Sequence, residues 1–304
     1  MSKNTSCKWL LASVGLIVAS SASAQIRISG SETLESFFQA GLSQYARGPG
    51  AGVVVKAEYK GTGQGFKDLC DGRAALVPAS AKLEGDALRR CQSAQVNPVE
   101  LPIAWDAVVV VAHPSHAAMG EITMAELKAI FDPASAGKVM SWAQVRAGQA
   151  DTPLSVVSLD PNSGTTAFFG NKVHGMKNFI RTDAKVSTSH TEILKLIAAN
   201  PNAIGFVSLG ALAESKAAVW RVPVNFGSGP VVASKTSILN GTYGPFSRLL
   251  YVYADKAALA EKDKQTLTFM TWLLEHAARM AQYEGFVPLI DENYADGVRR
   301  LSAK

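Results

Sequence analysis

The segment Asp160-Pro161-Asn162-Ser163-Gly164-Thr165-Thr166-Ala167-Phe168-Phe169 decides the fold of this chain. It follows the strand-like run at 154–157 and leads into an apolar pattern with helical spacing, so it predicts a strand, a sharp turn and a helix start. Asn162 or Ser163 can cap that helix, and Gly164 leaves room for a close approach. Backbone N–H groups at a helix start bind anions, so the segment predicts either an anion site or an ordinary capped helix.

Three further junctions of the same kind occur earlier in the chain. Each has a short strand-like run followed by a turn rich in Gly, Ser or Thr, and the turns lie at 30–33, 61–65 and 79–80. Alternating strands and helices predict an α/β fold with mostly parallel sheets, in which ligands gather beyond the carboxyl ends of the strands. Helix N-termini and hydroxyl groups would line the site if the four turns converge.

The first 24 residues have the pattern of a secretory signal peptide. Lys3 and Lys8 precede an apolar run at 9–19, and small residues offer an A-x-A cleavage site before Gln25. The apolar run is too short to span a bilayer comfortably, and Cys7 lies ahead of it rather than after it, unlike a lipoprotein cysteine. We therefore expect an exported, periplasmic protein that is not embedded in the membrane.

Several classes of function are disfavoured by what the sequence lacks. The net charge is +5, and no tract of Lys and Arg is interleaved with aromatic residues, so nucleic-acid binding is not predicted. No nucleotide-binding, nucleophile-elbow or metalloprotease motif is present, so we expect neither an enzyme nor a bound cofactor or metal. A chain of this length forms one large or two medium domains.

Two cysteines, Cys70 and Cys91, remain after removal of the signal peptide. An even number of cysteines in an exported chain predicts a disulfide, and two buried free thiols are the alternative. The two cysteines do not form a C-x-x-C motif, so a redox or zinc role is not indicated.

Taken in order, the motifs resemble those of the periplasmic phosphate-binding proteins of ABC transporters, within the type II periplasmic-binding-protein superfamily. The matching motifs are Gly30-Ser31-Glu32-Thr33-Leu34, Gly61-Thr62-Gly63-Gln64-Gly65, Ala79-Ser80 and the segment 160–169, which we call the anion loop. Further landmarks lie at 203–207, 247–251 and 285–289, so the resemblance covers nearly all of the chain after residue 24.

The resemblance implies an α/β fold of two lobes, the Venus-flytrap arrangement, with two interlobe crossings. The strand-like segments that we expect to cross lie at 99–111 and 219–224. The expected division is a signal peptide at 1–24, lobe I at 25–104 and 217–304, and lobe II at 105–216.

The same resemblance implies a set of residues that contact the anion. By position these are Thr33, Leu34 (through its backbone), Thr62, Ser80, Ser163, Gly164 and Thr165. Two positions depart from the family. Ala81 replaces an Asp that accepts the proton of hydrogen phosphate, and Leu159 replaces an Arg that binds the oxyanion bidentately. Lys60 and Lys82 flank the expected site, where they either restore a positive charge or are solvated surface lysines.

The sequence thus predicts a monomeric, non-enzymatic solute-binding protein that captures phosphate or a related oxyanion for an inner-membrane ABC permease. The alternative is an exported relative with a degenerate ligand site that acts through protein–protein interaction. Ala81 and Leu159 favour this alternative, because each removes a group that the family uses to bind its ligand.

Overall fold

A computed structural model of the chain describes residues 25–177, 179–261 and 263–302. The predicted signal peptide at 1–24 lies outside the described residues. Within the described ranges, no helix combines the length and the apolar character that crossing a membrane requires.

Strands and helices alternate along the described chain, as the sequence pattern predicts. The strands are β1 (Gln25–Ser29), β2 (Val54–Glu58), β3 (Leu76–Ala79), β4 (Pro98–Ala112), β5 (Ile122–Thr123), β6 (Ser155–Leu159), β7 (Lys185–Ser187), β8 (Ala203–Ser208), β9 (Trp220–Arg221), β10 (Val224–Asn225), β11 (Pro230–Val231) and β12 (Ser247–Asp255). The helices are α1 (Glu35–Ala46), α2 (Thr62–Cys70), α3 (Gly85–Ser93), α4 (Met124–Phe131), α5 (Trp142–Val145), α6 (Gly164–Val173), α7 (His190–Ala199), α8 (Leu209–Glu214), α9 (Lys235–Leu239), α10 (Lys256–Glu261), α11 (Lys264–Tyr283) and α12 (Asp291–Ser302).

Two lobes, each with its own apolar core, are joined by the long strand β4. Its first part pairs antiparallel with β12, and its last part, 108–112, pairs antiparallel with β8. Leu101 and Ile103 lie in the core formed with α1 and α11, whereas Val108 and Val110 lie in the core formed with β6, β8 and α7. The two-lobed α/β fold and its first crossing are therefore confirmed.

The chain returns between the lobes through β12, at 247–255, and not through 219–224. The short strand β9 pairs with β4, and Val224 and Phe246 are buried in the core of lobe II. A division of the chain by its cores thus assigns 217–246 to lobe II, where we expected lobe I. A short β-branched run has the same composition whether it crosses or turns back, so its pattern does not distinguish the two.

The main sheet is mixed rather than mostly parallel. The strand order is β2-β1-β3-β12-β4-β8-β6-β7. β1 runs parallel to β2 and β3, and β6 runs parallel to β7 and β8, but β12 is antiparallel to both β3 and β4. The two crossing strands occupy the centre of the sheet and run in opposite directions, because one leads to lobe II and the other leads back.

The predicted disulfide between Cys70 and Cys91 is confirmed, with 4.4 Å between the two Cα atoms. Cys70 ends α2 and Cys91 lies in α3, so the bond ties two neighbouring helices of lobe I together. Both cysteines are buried in a small core that also contains Phe66 and Tyr253.

A candidate anion site between the lobes

The four turns predicted from the sequence meet between the lobes. Thr33, in the turn after β1, has its Oγ1 3.1 Å from Thr165 Oγ1 in the anion loop. Thr62, at the start of α2, has its Oγ1 3.1 Å from Ser80 Oγ and also accepts the Ser80 backbone N–H. All four side chains are buried. The structure therefore brings hydroxyl groups from both lobes to one place.

The anion loop is shaped by its own side chains. Asp160 Oδ1 accepts the Asn162 backbone N–H at 2.8 Å, which forms a turn directly after β6. Ser163, not Asn162, caps α6, because its Oγ accepts the Thr165 N–H at 3.1 Å. The loop is thus a capped helix start, and its binding of an anion stays a prediction.

Gly164 allows the start of α6 to approach the other lobe closely. A Cβ atom at this position would collide with Ser80 Oγ and would lie 3.0 Å from Thr62 Oγ1. A similar contact occurs at Gly61, where φ is +99° and a Cβ would lie 2.9 Å from the Asn162 carbonyl oxygen. A side chain at either glycine would separate these groups: the start of α6 from the Ser80 and Thr62 hydroxyls, and Gly61 from the Asn162 carbonyl.

Arg248 is a functional candidate that the sequence patterns did not predict. It lies on β12 directly opposite Asp106 of β4, and its Nη2 donates to Asp106 Oδ2 at 2.9 Å. The same Nη2 donates to Thr165 Oγ1 at 2.8 Å, and Nη1 donates to the Gly164 carbonyl oxygen at 3.2 Å. A buried guanidinium group therefore contacts the anion loop from the crossing strands.

A signal for this ion pair is present in the sequence. Asp106 and Arg248 are each a single charge within a strand-like apolar run, at 104–107 and 247–251. Charges in buried strands are nearly always paired, so two opposite charges in two such runs suggest a pair. The family resemblance includes 247–251 only as a landmark and implies no role for Arg248. Leu159, where the resemblance implies an Arg, is fully buried in the core of lobe II.

A carboxyl group from lobe I lies beside the anion loop. Ser163 Oγ donates a hydrogen bond to Glu32 Oε1, and Glu32 Oε2 is buried with no hydrogen-bond partner among the described residues. Burial raises the pKa of the Glu32 carboxyl above its ordinary value, and the hydrogen bond from Ser163 opposes this effect. One hydroxyl group of the predicted site is thus already bonded to a carboxyl group of the protein.

The remaining predicted residues lie around this centre. Leu34 has its side chain in the core of lobe I, and its N–H donates to the Ser31 carbonyl oxygen at 3.2 Å, so its contact with an anion stays a prediction. Lys60 Nζ lies 2.7 Å from Glu58 Oε2, and Lys82 Nζ lies 3.5 Å from Glu100 Oε1. Both lysines are largely exposed, so they contribute little charge to the buried hydroxyl cluster.

A large cavity, which we call the cleft cavity, opens from the site to the surface and has a volume of about 1240 Å³. Its wall includes Thr62, Ser80, Ser163 and Gly164 of the predicted site, together with Arg248. Ala81, which replaces an Asp of the family, also lines it. The hydroxyls of Thr33 and Thr165 lie behind this wall, where they bond to each other and to Arg248.

Comparison with known proteins gives a consistent result. A family model described as a PBP superfamily domain matches residues 18–276. Protein SphX of Synechocystis is 30% identical over 94% of this chain and 84% of that protein. The phosphate-binding protein PstS of Staphylococcus saprophyticus is 26% identical over 82% of this chain and 76% of that protein. The crystal structure of a possible phosphate binding protein from Planctomyces limnophilus has a TM-score of 0.69 at 25% identity, covering 92% of this chain and 98% of that one.

Proposed function

The chain belongs to the PBP superfamily and has phosphate-binding proteins among its relatives, and from this premise we propose that it captures phosphate or a related oxyanion between its lobes. In this proposal the protein is a monomeric periplasmic solute-binding protein, exported through its N-terminal segment, and it delivers the anion to an inner-membrane ABC permease. The anion is bound and released unchanged, so no catalytic step is assigned.

The observation that supports this proposal best is the meeting of Thr33, Thr165 and Arg248 at the start of α6. A tetrahedral oxyanion needs several donors that converge from different directions. Hydroxyl groups can turn to donate, the helix start adds backbone N–H groups, and a guanidinium group adds charge-assisted hydrogen bonds. Each of these groups is buried, so water competes little for them.

The same contacts suggest how an anion would favour the closed arrangement of the lobes. Thr33 belongs to lobe I and Thr165 to lobe II, and their hydroxyls bond to each other across the interface. An anion that accepts from both hydroxyls at once binds the closed form more tightly than an open one, because only the closed form offers donors from both sides. Such a difference in affinity is what shifts the population toward closure.

The alternative, a degenerate site that serves a protein partner, has specific support. Ala81 offers no carboxylate, and Ser163 already donates to Glu32. Against it, Arg248 supplies a cation at the anion loop although Leu159 does not. An arginine introduced at 159 would enter the lobe II core without a partner, so Leu159→Arg is not a suitable way to restore binding.

The test is calorimetric titration of refolded, ligand-free protein with phosphate, arsenate, sulfate and molybdate at fixed ionic strength. We expect a phosphate-linked heat and a rise in melting temperature, since a ligand at 100 times its Kd stabilises the folded state by about 2.7 kcal/mol. Titrations with sulfate and molybdate show whether a double negative charge and a tetrahedral shape are enough for an anion to bind. If none of the four anions gives a heat of binding or a shift in melting temperature, oxyanion capture is contradicted and the partner-binding alternative is supported.

A further inference from the structure

The cleft cavity is much larger than one tetrahedral anion requires. Its volume of about 1240 Å³ exceeds the roughly 300–1,000 Å³ of pockets that enclose drug-sized ligands. The predicted anion contacts Thr62, Ser80, Ser163 and Gly164 form only part of its wall. The rest of the wall is therefore available to a larger ligand whose terminal group lies at the anion loop.

The wall of the cleft cavity is strongly basic. Among the described residues, nine Lys or Arg side chains line it against three acidic ones. The acids are already paired with lysine or arginine, as in Glu58 with Lys60 and Glu84 with Lys177. The pairs made by Glu58 and Glu84 are exposed and contribute about 0–1 kcal/mol, so an anionic ligand can replace these two acids at little cost. Some of these cations also pair with acids outside the wall, as Lys82 does with Glu100 and Arg248 with Asp106. Arg27, Lys67 and Lys172 take part in no ion pair found within the described residues, so the wall keeps a positive charge where a ligand would enter.

One face of α6 leads from the anion loop to a lysine. The residues at four-residue intervals along this face are Gly164, Phe168 and Lys172, and all three line the cleft cavity. Residues at this spacing share a face of the helix, and eight residues advance about 12 Å along the axis. Arg248 Cζ and Lys172 Nζ lie 5.5 and 5.7 Å from the centre of the Phe168 ring. The ring is therefore flanked by one buried cation and by one exposed cation.

The opposite wall repeats this arrangement in lobe I. Helix α2 begins at Thr62, and Gly63 and Lys67, four residues apart, both line the cleft cavity. Lys67 and Lys172 are exposed, and neither takes part in an ion pair found within the described parts of the chain. In each lobe, therefore, one helix begins at the anion site and carries, farther along, an exposed lysine that forms no ion pair with the described residues.

We propose that the cleft cavity binds condensed phosphates, with a terminal phosphate at the anion loop and the following phosphates between Lys67 and Lys172. This inference rests on the proposed function, because it uses the same anion loop for the first phosphate. The aromatic surfaces favour a chain of phosphates over a nucleotide, since Phe168 is flanked by Arg248 and Lys172, and Tyr251 has Lys82 near its ring. Little ring surface remains for a base to stack on.

The experiment compares orthophosphate, tripolyphosphate, ATP and citrate by calorimetry at one ionic strength. We expect tripolyphosphate to bind at least about tenfold more tightly than orthophosphate, which corresponds to 1.4 kcal/mol. ATP should bind no more tightly than tripolyphosphate, because the adenosine finds no open aromatic surface. Citrate, which is multivalent but has no phosphoryl group, should bind more weakly than either.

The variants Lys67→Gln and Lys172→Gln test the position of the outer phosphates. Each should weaken tripolyphosphate binding about three- to tenfold and change orthophosphate binding less than about twofold, because loss of one near-surface charge contact is worth about 1 kcal/mol. Lys195→Gln, an exposed helical lysine outside the cleft cavity, is the matched control and should change neither affinity.

The outcomes separate this inference from the proposed function. A wild type that binds none of phosphate, arsenate, sulfate and molybdate contradicts the proposed function. A wild type that binds one of these anions but not tripolyphosphate contradicts the inference. Orthophosphate binding without tighter tripolyphosphate binding contradicts only the inference. Equal effects of Lys172→Gln and Lys195→Gln, or citrate binding as tightly as tripolyphosphate, would mean that general charge attraction is responsible, and the inference would fall. Tighter binding of ATP than of tripolyphosphate would overturn the choice of a condensed phosphate.

Discussion

The Thr165 hydroxyl contacts both the other lobe and the buried Arg248. It accepts from Arg248 Nη2 at 2.8 Å and lies 3.1 Å from Thr33 Oγ1. A hydroxyl in this position serves two purposes, because it completes the hydrogen bonds of the ligand-free protein and can turn toward an anion. Its removal should therefore affect both the folded state and ligand binding.

We expect Thr165→Val to weaken phosphate binding by about 1–3 kcal/mol, because a buried anion oxygen loses a donor. The melting temperature without ligand should also fall, since Arg248 and Thr33 lose a buried partner. Thr166→Val is the matched control, because the Thr166 hydroxyl donates to the Leu159 carbonyl oxygen and should affect stability alone. Titration and thermal unfolding of both variants provide the test, and unchanged affinity in Thr165→Val would place the anion elsewhere.

The pair of Arg248 and Asp106 needs a double substitution to separate structure from binding. Arg248→Gln alone leaves Asp106 buried without its partner and should destabilise the fold by about 3–5 kcal/mol. Adding Asp106→Asn removes the buried charge and keeps an oxygen for the Leu209 N–H that Asp106 Oδ1 accepts at 3.0 Å. The double variant should regain most of its stability in urea unfolding but not its phosphate affinity. Wild-type affinity in the double variant would exclude Arg248 from the site.

At the scale of elements, the start of α6 approaches lobe I through Gly164. This approach brings the N–H groups of α6 close to the hydroxyls at the start of α2 and at the end of β3, and a Cβ at 164 would collide with Ser80 Oγ. The geometry of the site thus depends on the absence of a side chain at 164, which leaves room for the Ser80 and Thr62 hydroxyls against the start of α6.

We therefore expect Gly164→Ala to reduce phosphate affinity at least about tenfold, an effect of 1.4 kcal/mol, because the added methyl group separates the donors of the two lobes. Each lobe keeps its own core, so the variant should remain folded by circular dichroism. Gly63→Ala is the control, since a Cβ there meets nothing within 4 Å, and alanine within a helix is favoured over glycine by about 1 kcal/mol. Equal affinities of the two variants would argue against the close approach as a requirement for binding.

At the scale of the whole molecule, the lobes also touch near the ends of α8 and α11. A Cβ on Gly210 of α8 would collide with the Phe286 ring, and one on Gly285 would collide with Ala213, so the two segments pack tightly. Glu284 lies at this junction and is buried. Burial and a hydrogen bond to Glu214 raise the pKa of the Glu284 carboxyl to about 7.

This raised pKa predicts how stability depends on pH. Between pH 4.5, the ordinary pKa of a Glu carboxyl, and about pH 7, the folded state keeps the Glu284 proton, whereas the unfolded state has largely lost it. Stability contributed by this proton is complete below pH 4.5 and is lost as the pH rises through 7. Glu284→Gln should therefore flatten the decrease in the free energy of unfolding between these pH values, measured by urea unfolding. The exposed Glu292→Gln is the control, and parallel curves for wild type and Glu284→Gln would contradict the assignment.

The sequence by itself determined the local features of this protein. Short-range patterns or counting gave the four strand-turn-helix junctions, a helix cap at Asn162 or Ser163, the first crossing and the pair of Cys70 and Cys91. Each of these depends on neighbouring residues or on residue type alone, and only the structure chose Ser163 as the cap. The family resemblance added the order of the motifs and with it the two-lobed fold.

Only the tertiary structure decided which strands are neighbours. Contacts between distant segments decide the return through β12 and the mixed sheet. They also decide the bond from Ser163 to Glu32 and the pairing of Arg248 with Asp106. Arg248 and Asp106 are 142 residues apart in the chain but directly opposite in the sheet. An apolar run predicts a buried strand but carries no mark of its partner strand or register, and register decides which buried charges meet.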